Sequence, residues 1–116
     1  MKKTFISISV IVLVLSGCYY DKEAELYPDS CITPNPVKFS MHVLPLLTAN
    51  CAVSGCHVDG GAGPGVMDQY GIVKAAVDNG KFANRVLTLK DMPPGGLPKC
   101  DLAIMDAWIL GGALND

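Results

Sequence analysis

The stretch Cys51-Ala52-Val53-Ser54-Gly55-Cys56-His57 decides how this chain is read. A histidine directly follows the second of two cysteines, the order in which a c-type haem is anchored. The cysteines, however, are separated by four residues, where that anchor has two. Three chemistries compete for the stretch: a covalent haem anchor, half of a zinc site, and a disulfide.

Upstream, Phe39-Ser40-Met41-His42-Val43-Leu44 predicts a helix start, with Ser40 as N-cap and Phe39 stapled onto Leu44. Pro45 has no amide proton, so either the first turn is irregular or the regular helix begins near it. Leu44, Leu47 and Cys51 recur at i, i+3 and i+7, with Val43 and Leu46 beside them. The helix therefore delivers Cys51 on its apolar side.

Downstream, Val58-Asp59-Gly60-Gly61-Ala62-Gly63-Pro64-Gly65 is too rich in glycine for regular structure. Such a loop lets backbone pass close to a planar ligand, and the Pro64 carbonyl is a natural acceptor for the second ring N–H of a ligating His57. Asp68 is expected to cap a second helix reaching Asp78, with Tyr70, Val73 and Val77 on one face and Asn79-Gly80 ending it. A short third helical piece, 81–87, carries Phe82, Arg85 and Val86. A last helix, 99–110, follows Pro98; Leu102, Met105, Trp108 and Ile109 form its stripe and Gly111-Gly112 stops it. Between these two lies Asp91-Met92-Pro93-Pro94-Gly95-Gly96, which holds Met92 on a stiff, non-helical loop with no packing motive of its own.

The first residues set the compartment. Lys2 and Lys3 precede an uncharged apolar run from Phe5 to Leu15, which ends in Leu15-Ser16-Gly17-Cys18. The run is shorter than the roughly 20 residues of a membrane-spanning helix, and its layout is that of an export signal. Its ending resembles the lipobox of bacterial lipoproteins, which implies a signal peptide over 1–17 and lipidation of Cys18. Residues 18–36, with Asp21, Lys22, Glu23 and Glu25, read as a tether, and 37–116 as the domain. Removing Lys2 and Lys3 leaves 7 of the 9 basic residues against 11 acidic ones. That acidic balance argues against nucleic-acid or anionic-membrane binding through a basic surface.

Five cysteines must then be accounted for, because exported thiols are normally consumed. Cys18 takes the lipid. If Cys51 and Cys56 share one prosthetic group, Cys31 and Cys100 remain as a pair, and no free thiol is left. The competing accounts are two disulfides in any of three pairings, or a zinc site of Cys51, Cys56, His57 and one further cysteine.

Helix, Cys-x4-Cys-His, glycine-proline loop, helices, Met-Pro-Pro-Gly-Gly loop and a final helix with a tryptophan: over about residues 37–114 this order resembles a small class I-like monohaem cytochrome c domain in a bacterial envelope lipoprotein. The resemblance implies an all-α fold of three to four short helices wrapped around one covalently attached haem c. It implies thioethers from Cys51 and Cys56, with His57 and Met92 as the iron ligands. It also implies single-electron transfer rather than catalysis, in a protein anchored by lipid in the cell envelope, at the periplasmic face or the outer-membrane surface. Partners would be other envelope redox proteins, met through a small transient interface flanked by Ala52, Val53, Ala62, Pro93 and Pro94. A haem-based gas sensor or oxygen-handling protein, and a haem-free interaction lipoprotein stabilised by zinc or disulfides, are the alternatives.

Other residues receive blander readings. Met41 and Met105 fall in helical patterns and read as core, Met67 lies at a helix start, and His42 reads as exposed or hydrogen-bonded in a first turn. Trp108 reads as core. Of Lys81, Arg85 and Lys90, which could meet haem propionates, Arg85 is the one singled out as cofactor-binding.

Overall fold

The computed structural model describes residues 31–116; the expected signal peptide, Cys18 and the tether up to Ser30 lie outside the described residues. Every regular element among the described residues is helical, which makes this part of the chain all-α. The regular helices are α1 (Leu44–Asn50), α2 (Tyr70–Asp78) and α3 (Lys99–Leu110). Two wider π-helical segments, Phe39–Val43 and Ala83–Thr88, complete the set.

The first π-helical segment runs directly into α1, and Pro45 explains it. A proline ring in a helix collides with the carbonyl four residues back and offers no proton to it. The chain before Pro45 opens to the wider spacing instead, and the Leu44 amide donates to the Phe39 carbonyl five residues back. Regular α-helix then starts at Leu44, with the proline in its first turn.

One core joins the elements. Val43, Leu47, Val73 and Met105 are fully buried, Trp108 nearly so, and Phe39, Phe82, Val86, Cys51 and Ala113 close the cluster. The Phe39 ring meets Tyr70 edge-on at 5.2 Å and Trp108 at 5.4 Å between centroids. Such pairs add about 0.5–1.5 kcal/mol beyond simple burial. No polar or charged side chain among the described residues is buried.

The end of the chain supplies what the local sequence does not. Asp116 accepts from the Phe39 amide through Oδ1 at 3.0 Å. Its main-chain oxygen accepts from the Ser40 amide at 3.0 Å and from the Ser40 hydroxyl at 2.7 Å. Ser40 is therefore not an N-cap; the orphan donors at this helix start are met from across the domain. Tyr70 Oη donates to the Ala113 carbonyl and Trp108 Nε1 to that of Leu114, so the last residues also tie down α2 and α3. Two further expectations are corrected. Asp68 makes no cap, since α2 starts after Gln69 without a side-chain cap bond. Met41 is 66% exposed rather than core, because the π-helical spacing turns it away from the face shared by Phe39 and Val43.

Cys31 and Cys100 form a disulfide with a Cα separation of 5.0 Å across 69 residues of sequence. It fastens the start of the described chain to the first turn of α3. Replacing both cysteines by serine is expected to destabilise the domain by about 2–4 kcal/mol in denaturant unfolding, because the unfolded chain regains the freedom of a long open loop. An unchanged unfolding midpoint would contradict that role.

Candidate functional site

The cysteine-histidine segment is fixed by its own backbone. The Cys51 amide donates to the Leu47 carbonyl as α1 ends, and the His57 amide donates back to the Cys51 carbonyl at 3.1 Å. Between them the Cys56 amide donates to the Val53 carbonyl at 2.9 Å. Gly55 has φ +80°, a conformation in which most side chains are strained. The two additional residues are thus absorbed in a tight bulge, and both cysteines line the same space.

The glycine-rich loop then folds back on the histidine. Gly63 donates to the Cys56 carbonyl at 3.1 Å, Ala62 to that of Gly55 at 3.2 Å, and Met67 to that of His57 at 3.0 Å. Two glycines are required by close approach. A Cβ at Gly63 would stand 2.7 Å from two atoms of the His57 ring, and one at Gly61 would stand 2.0 Å from the Cys56 carbonyl oxygen. The Gly61→Ala variant is expected to lose about 3 kcal/mol or more in denaturant unfolding, since the obstacle is backbone. Gly71→Ala, in α2 with open space around it, is the control and is expected to gain about 0.5 kcal/mol. Equal stability of the two variants would show that the loop is not packed this way.

His57 is half-buried, and its Nδ1 lies 3.2 Å from the Pro64 carbonyl oxygen. A carbonyl only accepts, so Nδ1 is the protonated nitrogen, and Nε2 keeps the lone pair with which an imidazole binds a metal.

All of this borders a cavity of about 800 Å³, within the range of small-molecule and cofactor sites. Cys51, Cys56, His57, Pro64, Arg85 and Met92 all line it. Ile72, Ala75, Ala76, Phe82 and Val86 add apolar surface, and Asn50, Asn79, Asn84, Lys81 and Arg85 bring polar groups. Ala62, Pro93 and Pro94 also border it, whereas Ala52, Val53 and Lys90 are absent from its lining. His42 is not in the lining either; its Nδ1 accepts from the Lys38 amide. A smaller cleft of about 330 Å³ lies beside Trp108 and residues 33–37; it contains no cysteine, histidine or methionine.

The residues that the sequence pattern did not single out are those of α2. Ile72, Ala75 and Ala76 face the cavity, while Val73 is in the core and Tyr70 and Val77 pack against it. The adjacent small residues Ala75 and Ala76 were the available signal for close approach.

Neither Cys51 nor Cys56 is in a disulfide; Cys51 is buried and Cys56 half-buried. Burial pushes the Cys51 thiol pKa up, and repulsion from Cys56 adds to it.

The chemistry of the donors separates the competing readings. Among the described residues no group of three or more Cys, His, Asp or Glu converges as a metal site. Among the described residues no further cysteine is open to a zinc site, because Cys31 and Cys100 are bonded to each other. What the cavity offers is two thiols, an imidazole with a free Nε2 and a thioether, in apolar surroundings. That set fits a flat apolar prosthetic group carrying a metal better than a hydrated ion. Compared with protein-family models, with curated proteins and with solved structures, the chain matches none.

Proposed function

We propose that the domain is a class I-like monohaem cytochrome c that carries single electrons. Cys51 and Cys56 would hold the haem through thioethers, and His57 and Met92 would be the ligands of its iron. The observation that carries this reading is that these four residues, from two loops far apart in sequence, line one apolar cavity of about 800 Å³. A haem bound between imidazole and thioether supplies a one-electron iron couple of raised potential, with no position left for oxygen chemistry.

The chain's own residues do the rest. The Pro64 carbonyl fixes the His57 tautomer and ring orientation. Gly61 and Gly63 let the loop lie against Cys56 and His57. The apolar side chains of α2, with Phe82 and Val86, form the apolar walls against which a flat group would pack. Arg85 and Lys81 are the charged lining residues, both cationic, and suit the acidic edge of a haem. The disulfide fits an oxidising compartment. With the lipobox-like Leu15-Ser16-Gly17-Cys18 it supports a lipid-anchored place in the cell envelope, among redox proteins that meet the domain briefly near Ala62, Pro93 and Pro94.

A reduced-minus-oxidised absorption spectrum of protein made with haem-attachment machinery tests this. The expected result is a low-spin c-type spectrum that carbon monoxide barely alters. A spectrum that carbon monoxide readily converts would favour a gas-binding sensor, and a colourless protein would rule the reading out.

A further inference from the structure

The loop that carries Met92 is held to the helical segment before it by one residue. The Arg85 carbonyl accepts from the amides of both Asp91, at 3.1 Å, and Met92, at 3.4 Å. The Arg85 side chain returns through Nε to Asp91 Oδ1 at 2.8 Å. Between them Lys90 sits at φ 54°, a left-handed conformation that lysine rarely adopts. The chain thus reverses sharply after the π-helical segment and is closed at that reversal from both backbone and side chain.

Stability alone does not account for the ion pair. Its side chains are 47% and 45% exposed, and pairs of that kind contribute little to folding. Its location gives it a different consequence. Asp91 immediately precedes Met92, and Pro93 and Pro94 stiffen the chain on the other side. A methionine carried between a clamped residue and two prolines has few positions open to its sulfur.

We infer that Asp91, gripped by Arg85, is a positioning residue for Met92 that sets how firmly the methionine stays on the metal. The inference rests on the proposed role of Met92 as a ligand. In it the ion pair biases an equilibrium between a loop held at the cavity and a loop swung away. Partial release opens one coordination position, to which an external ligand such as carbon monoxide binds.

The test uses haem-loaded full chain and the rate of carbon monoxide binding to the reduced protein. Asp91→Ala and Arg85→Gln are each expected to speed binding about two- to fivefold, the factor an exposed ion pair represents. Asp91→Asn, which keeps an acceptor oxygen without the charge, should fall between them and the unaltered protein. The thermal unfolding midpoint should stay unchanged in Asp91→Ala and Asp91→Asn, whose side chain is outside the cavity lining. Binding rates equal to that of the unaltered protein in Asp91→Ala and Arg85→Gln would overturn the inference while leaving Met92 as ligand. If instead the unaltered protein binds carbon monoxide as fast as Met92→Ala does, the ligand assignment fails and the inference with it. Should Asp91→Ala not accumulate with haem, Asp91→Asn and Arg85→Gln decide the matter by the same readings.

Discussion

Chain in which Cys51 and Cys56 are both replaced by alanine is expected to retain no covalent haem and to lose its cooperative thermal unfolding. Cys51 is in the core cluster with Val43 and Leu47, and Cys56 lines the cavity beside it. Without the haem, the apolar walls formed by Ile72, Phe82 and Val86 around a cavity of about 800 Å³ would lose their packing partner and face water. The disulfide remains and cannot replace it. In-gel haem staining and a circular dichroism melt read both effects, and a double variant that melts as sharply and as high as the haem-loaded protein would refute this account of the fold.

Met92→Ala is the second large effect. The variant should keep its haem, since Cys51 and Cys56 are untouched, but its iron should accept carbon monoxide readily when reduced. Its reduction potential should fall by on the order of 0.1 V or more, within the ~0.8 V that axial ligation spans. Met67 is the internal control, because it is the other methionine lining the cavity. Its amide is bonded to the His57 carbonyl, so its backbone is tied to the histidine segment. Met67→Ala should therefore leave the potential and the carbon monoxide response close to those of the unaltered protein. The reverse pattern, with Met67→Ala opening the iron and Met92→Ala silent, would reassign the ligand.

Local patterns made much of the fold legible. The apolar spacing that ends at Cys51 is the buried face of α1, where Val43, Leu47 and Cys51 all meet the core. Met105 and Trp108 are buried on α3, and Asn79 ends α2. Pro45 foretold the irregular entry to α1. The misreading at the first helix start has its physical cause in distance along the chain. Ser40 and Phe39 are satisfied by Asp116, 76 and 77 residues away, and nothing in a local capping pattern announces such a partner. Met41 fits a regular helical period but stands in a π-helical turn, where that period no longer applies.

The site was legible where chemistry is concentrated and opaque where shape matters. Cys56, His57, Pro64 and Met92 stand out because their residue types and spacing imply a task. The cavity-facing side of α2 does not, because a helix that meets a core on one face and a cavity on another carries a blurred stripe, in which Ile72 and Ala75 send no separate signal. The Arg85–Asp91 clamp was hidden for a similar reason. In sequence terms Arg85 is a candidate partner for haem propionates, and only the fold shows it gripping the residue before Met92.

Peptide mapping of the haem-loaded chain reads the attachment of the haem to Cys51 and Cys56 itself. Trypsin cuts after Lys38 and Lys74, so one peptide, Phe39 to Lys74, contains both Cys51 and Cys56. This peptide is expected to carry the full mass of one haem, coloured and resistant to reduction and alkylation, with neither cysteine labelled. The same peptide at its bare mass, with both thiols alkylated or joined to each other, would contradict it.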